Sequence, residues 1–266
     1  MPGQRLSSPF RAQASADEMR EIRALTFDVF GTVVDWHTSV VREGRLLGSQ
    51  KGIDVDWGEF ATQWRAGYGP AMGRVRSGEL PYMNIDELHR LILVDLLEDF
   101  GITNLSDSEI DEFNRVWHRL IPWPDALQGL HRLKSRYVIA TLSNGNVSLL
   151  TNMAKNAGLP WDVVLSSELT PGYFKIDRQV YEGAADLLDL APSQIMMVAA
   201  HKLDLSGARA VGFRTAFVQR PLEQGPDGDK DISPDPEADI NATDFVDLAR
   251  QLGASGRLHR HKSIEV

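Results

Sequence analysis

Residues 23–27, 137–142, 162–166, 195–200 and 214–218 form short runs that are apolar nearly throughout. Such runs, lacking polar alternation, are what strands buried on both faces require. The intervals between the last four carry apolar positions at helical spacing. They predict helices from Asn146 to about Ala157, from Asp177 to about Leu188 and from Asp204 to about Val211, with Gly158 and Gly212 as stops for the first and third. Strands alternating with helices of about 10–15 residues imply a parallel sheet covered on both sides, a Rossmann-like α/β core.

The first interval breaks that rhythm, because residues 35–124 are far more than one crossover needs. Residues 55–75, 84–100 and 107–120 each show three- and four-residue apolar spacing, as in Leu88, Ile92, Leu96 and Phe100. The expectation is a helical cap, 37–123, inserted after the first strand into a core made of 20–36 and 124–254. Residues 1–19 and 255–266 are expected to be flexible flanks, and 221–239, rich in Pro, Gly and Asp, a surface loop before a last helix at 242–252.

Composition narrows the chemistry. With 266 residues, 42% of them hydrophobic, the chain can bury a substantial core. A formal charge of −9, from 28 Lys and Arg against 37 Asp and Glu, argues against nucleic acid as a partner. The absence of cysteine removes thiol nucleophiles, disulfides and every thiolate metal site. No run approaches the roughly 18 apolar residues of a membrane span, and 91–97 is interrupted by Asp95. No apolar leader segment is seen near Met1, so neither a membrane nor secretion is expected and the cytoplasm is the expected location. There is no H-E-x-x-H, P-loop or G-x-G-x-x-G pattern.

In an open parallel sheet, ligands sit beyond the carboxyl ends of the strands. The first run ends in Phe27-Asp28-Val29-Phe30-Gly31-Thr32 and the second in Leu142-Ser143-Asn144-Gly145. Lys175 follows the third, and the fourth leads into His201-Lys202-Leu203-Asp204. A carboxylate can act as a nucleophile by forming an ester, an ammonium can hold it ionised, and a second carboxylate can prepare water to cleave the ester. Each residue alone reads as a turn former or, for Asp204, a helix N-cap. Their convergence at successive strand ends favours Asp28 as nucleophile, paired with Lys175 and served by Asp204.

With those residues in view, residues 22–252 resemble the haloacid dehalogenase superfamily, and within it the type II 2-haloacid dehalogenases. The resemblance rests on the Asp28 segment, Ser143-Asn144-Gly145, Lys175 with Tyr181, and Asp204 followed by Gly207-Ala208-Arg209. It implies that Asp28 displaces halide from C2 of a short anionic 2-haloacid, with no cofactor, in an enzyme that forms a homodimer. Thr32 and Ser143 would bond Asp28 or the substrate carboxylate, Asn144 and Arg65 would meet the halide, and Tyr181 would support Lys175. Phe30 stands where the superfamily's phosphatases carry a second Asp and cannot protonate an alkoxide, and the carboxylates left after Asp28 are too few for a magnesium site, which favours metal-free carbon–halogen hydrolysis. The segment before Asp204 departs from the S-x-N-x-x-D pattern that it resembles, with Ala199 for Ser and His201 for Asn. His201 could donate to the carboxylates or water, or titrate near neutral pH. Gly67 and Gly69, near Arg65, suggest a pocket side without bulky side chains. The alternatives are a phosphatase, a strained-ring carboxylate hydrolase, or a non-catalytic carboxylate-binding relative.

Overall fold

The computed structural model describes residues 19–254, so the expected flank at 255–266, and nearly all of that at 1–19, lies outside the described residues. Six strands form one parallel sheet in the order β5-β4-β1-β6-β7-β8. They are β1 (Ala24–Phe27), β4 (Val138–Ser143), β5 (Val163–Ser166), β6 (Ile195–Ala199), β7 (Arg214–Val218) and β8 (Ile240–Ala242). The chain leaves β1 toward β4 and β5, then crosses back to add β6, β7 and β8 on the other side. The carboxyl end of β1 is thus the switch point where such sheets hold ligands. Phe27 is level with Thr141 of β4 and Val198 of β6, so the residues leaving these three strands emerge side by side.

The cap is present, and its helices show how it is attached. A two-stranded antiparallel ribbon, β2 (Val34–Asp35) with β3 (Ile121–Pro122), joins it to the core. Between these strands run the helices Trp36–Lys51, Trp57–Arg76, Ile85–Asp99 and Asp107–Asn114, then a short 3₁₀ turn, Arg115–His118. Asn84 caps the third helix in a reciprocal box with Glu87. The first of these helices, and Ala126–Lys134 in the core, have no counterpart among the helices expected from spacing. Both pack through glycine. A Cβ on Gly44 would lie 2.3 Å from the Trp57 ring, and one on Gly129 would lie 2.3 Å from Phe245.

Two boundaries and one reading of the pocket need correction. The last helix is Phe245–Gln251, capped by Asp244, and Ala242 belongs to the edge strand β8. The helix after β6 starts at Lys202, so Asp204 sits inside its first turn and His201 takes the N-cap position. Gly67 does not open the pocket: a Cβ there would meet Ile92 of the neighbouring cap helix at 2.6 Å. No helix of the described residues is long and apolar enough to cross a membrane.

Candidate active site

Asp28 leaves β1 beneath the cap with 7% of its surface exposed. Its Oδ2 accepts from Thr32 Oγ1 at 2.7 Å and from His201 Nδ1 at 2.9 Å, while Oδ1 accepts from Lys175 Nζ at 3.0 Å. Burial alone would push this carboxyl up, but Lys175, His201 and Thr32 outweigh it and hold Asp28 well below the usual carboxylate range. Asp28 is therefore ionised at any ordinary pH.

Lys175 Nζ also reaches Asp204 Oδ2 at 2.5 Å, and Tyr181 donates its hydroxyl proton to Asp204 Oδ1 at 2.6 Å. One ammonium thus bridges two buried carboxylates. Burial lowers the affinity of Lys175 for its proton, but Asp204 and Asp28 more than restore it, so Lys175 stays charged. Asp204 is raised, first by burial and then by the Asp28 charge, against the pull of Lys175. Of the two carboxylates, Asp204 is therefore the first to take a proton on acidification.

His201 sits between two acids. Its Nδ1 faces Asp28 and its Nε2 faces Glu223 Oε1 at 2.8 Å. Both partners are carboxylates that only accept, so both ring nitrogens carry protons. Burial opposes the charge, but the bonds to Asp28 and Glu223 push the imidazole up to about 9. Glu223, 3% exposed, is held down at about 2 by His201 and by Lys230, whose Nζ lies 2.6 Å from Oε2.

A pocket of about 290 Å³ opens over these groups. It is lined by Asp28, Phe30, Arg65, Tyr68, Met72, Ser143, Asn144, Lys175, Ile176, His201, Leu203 and Asp204. Of the residues expected at the site, Thr32 and Tyr181 are absent from the wall: Thr32 lies behind Asp28 and accepts from Ala200 N–H at 2.9 Å, and Tyr181 is fully buried beside Asp204. The expected support of Lys175 by Tyr181 is corrected to support of Asp204. Ser143 lines the pocket, but its Oγ accepts from Gly145 N–H at 3.2 Å rather than bonding Asp28. Asn144 is fixed through its side-chain oxygen, which accepts from Lys175 N–H at 2.7 Å. Arg65 comes from the cap, its guanidinium 4.4 Å from the Tyr68 ring centroid. Lys202 points away, to Asp231 and Ser233. A larger cleft of about 770 Å³ shares Arg65 and runs past Trp36, Arg45 and Gln224, but the paired carboxylates line the smaller pocket.

Spacing alone did not reveal Glu223, Lys230, Tyr68 or Met72 at or beside the site. Nor did it reveal Arg76, whose guanidinium crosses from the cap to the carbonyls of Phe174 and Lys175 at 3.2 and 3.0 Å and to Asp177 Oδ2 at 3.1 Å. The donor set does not fit a divalent cation. An ammonium and an imidazolium occupy the two oxygens of Asp28, and Phe30 offers no side-chain oxygen as a further ligand. No group of three or more His, Cys, Asp or Glu among the described residues could hold one.

A doubly wound sheet, a helical cap and a carboxylate locked in ion pairs at the switch point define a capped α/β protein built for carboxylate chemistry. A family model for haloacid dehalogenase-like hydrolases matches residues 22–212. The chain is 31% identical over 208 residues to (S)-2-haloacid dehalogenase 1 of Pseudomonas sp. strain CBS-3, across 76% of this chain and 86% of the relative. It is 29% identical over 204 residues to (S)-2-haloacid dehalogenase 4A of Burkholderia cepacia, across 75% and 84%. Among solved structures, the L-2-haloacid dehalogenase PA0810 is 46% identical with a TM-score of 0.84, covering 88% of this chain and all of that one. The defluorinating L-2-haloacid dehalogenase Rha0230 is 45% identical with a TM-score of 0.84, covering 87% and 95%. The chain belongs to the haloacid dehalogenase-like hydrolase family.

Proposed function

We propose that this protein hydrolyses short 2-haloalkanoic acids to 2-hydroxy acids through an ester on Asp28, without a metal. The relatives named for the (S) or L series support that enantiomer, and the 45% identical defluorinating relative supports fluoride among the leaving groups. The observation that carries the reading is the unequal loading of Asp28. Oδ2 accepts from two donors and Oδ1 from one, so Oδ1 keeps the freer lone pair and faces its attack on C2. Halide leaves toward Arg65 and Asn144 on the pocket wall. No proton is needed at that step, which suits a wall with Phe30 where a phosphatase would place its acid.

Water then attacks the Asp28 Cγ, giving its proton to Asp204, which Tyr181 and Lys175 hold in place. Attack at Cγ returns the nucleophile with one oxygen from water. The same resemblance leads us to propose a homodimer, checked by light scattering on the purified chain, and a cytoplasmic location, checked by cell fractionation. The wild type should release halide from (S)-2-chloropropionate, and Asp28→Asn should lose roughly 1,000-fold or more of that rate while still folding. Magnesium-dependent phosphate release with no halide release would overturn the reading.

A further inference from the structure

Glu223 has no part in the ester chemistry outlined so far, yet it is among the most deeply buried acids of the molecule, 3% exposed. It comes from the loop after β7 and reaches beneath the Asp28 segment, where room for it depends on one residue. Gly31 has φ +81°, and a Cβ there would lie 2.2 Å from Glu223 Oε1. The turn that carries the nucleophile therefore lacks a side chain where the acid passes. From that position Glu223 meets His201 Nε2 at 2.8 Å and Lys230 at 2.6 Å, while the opposite ring nitrogen meets Asp28 Oδ2 at 2.9 Å. Asp28, His201 and Glu223 form a continuous line, closed at its far end by Lys230.

We propose that His201 is the oxyanion donor of the ester-cleaving half-reaction and that Glu223 is its positioning residue, fixing the ring so that Nδ1–H points at Asp28 Oδ2. The proposal rests on the dehalogenase reading above. Once Oδ1 has bonded to C2 and halide has gone, Oδ2 is the ester carbonyl oxygen. Water bonds to Cγ, its proton passes to Asp204, and the carbonyl electron pair moves onto Oδ2. The developing charge then sits between the Thr32 hydroxyl and the His201 N–H, both already aimed at that oxygen. On collapse the pair returns from Oδ2 and the Cγ–Oδ1 bond breaks. The product alkoxide takes the proton from Asp204, and Asp28 sheds its own proton to solvent.

The groups facing this ring from the surrounding elements are Asp28 and Thr32 after β1, Glu223 and Lys230 after β7, Lys175 through Asp28, Arg65 from the cap across the pocket, and Asp204 on the same helix. In the resting enzyme the two carboxylates in direct contact keep the imidazolium charged, and once Asp28 is esterified Glu223 is the one that still does so. A charged donor serves an oxyanion better than the amide that the resemblance leads one to expect at this position.

The test separates the two half-reactions by rapid quench with (S)-2-chloropropionate. In Glu223→Gln and in His201→Ala, halide should appear as a burst of about one per active site. Ester cleavage should then be slowed on the order of 100-fold, with the ester found by mass spectrometry on the Asp28 peptide. The pH at which ester cleavage declines should be lower in Glu223→Gln than in the wild type, because in the ester Asp28 carries no charge and Glu223 is the carboxylate left in contact with the ring, and Glu223→Asp should restore part of the rate. Equal slowing of both half-reactions, or an unmoved pH break in a folded Glu223→Gln, would overturn the proposal while leaving the dehalogenase reading intact. Absence of halide release from the wild type would overturn that reading and this inference together.

Discussion

At the scale of single residues, the site is a ladder of alternating charges, each member held in its state by the next. Removing one member leaves its neighbours buried and unpaired: Lys175→Met would strand Asp28 and Asp204 against each other, a cost on the order of 3–5 kcal/mol. The imidazolium offers a cleaner readout. Its pKa rises from 6.5 to about 9 on folding, so its contribution to stability is complete below about pH 6.5 and is lost as pH climbs through about 9. Glu223 falls from 4.5 to about 2, so its contribution stands above about pH 4.5 and disappears as pH drops through about 2. Thermal melts should therefore show stability declining between pH 6.5 and 9, with a shallower slope in His201→Asn. Parallel slopes in the two proteins would mean that the imidazolium is not held as described. Asp28 was legible in the sequence because it directly follows the apolar run of β1, and Lys175 and Asp204 because they come in order after the next strands and match the motifs of the resemblance. Glu223 and Lys230 were not, because they stand in a polar loop whose composition looks the same whether its acids face solvent or the half-buried His201.

At the scale of elements, the cap and core are tied through the loops that carry the chemistry. Arg76 from the cap helix Trp57–Arg76 grips the backbone on both sides of the Phe174–Lys175 bond, while Asp86 of the next cap helix accepts from Asn146 at 2.9 Å, just beyond the Ser143-Asn144-Gly145 turn. Arg76 touches no reacting atom and acts by fixing where Lys175 can sit. Arg76→Ala should lower kcat on the order of 10- to 100-fold with the melting temperature little changed, and Arg76→Lys should recover part of it. Unchanged kcat would show that the Lys175 loop needs no such grip. Helices with large apolar faces, such as Ile85–Asp99, were visible as spacing. The helices Trp36–Lys51 and Ala126–Lys134 were not among those read from spacing, although they bury Val40, Val41, Leu130 and Leu133; Gly44, Gly48 and Gly129 admit Trp57 or Phe245 into those faces. The ribbon β2–β3 escaped because two-residue strands are too short for any alternation to register.

At the scale of the whole molecule, a chain with formal charge −9 must admit an anion, and it does so by gathering Lys175, His201 and Arg65 around one small pocket. Neither part of the molecule makes that pocket alone. The core supplies the nucleophile and its ion pairs, and the cap supplies Arg65, Tyr68 and Met72. The parallel sheet was legible in the sequence, since buried runs alternating with helices imply one, but its edge strand β8 was not, being three residues long. The closure of the pocket was not, because it depends on which face of the helix Trp57–Arg76 turns inward. The central claim is that Asp28 is alkylated on Oδ1 and released by water at its carbonyl carbon. A single turnover in heavy-oxygen water, with enzyme in excess over (S)-2-chloropropionate, tests it most directly. The heavy oxygen should enter the Asp28 side chain, seen in the mass of its peptide, while the first hydroxy acid formed stays unlabelled. Label in that first product, with an unlabelled Asp28, would contradict it.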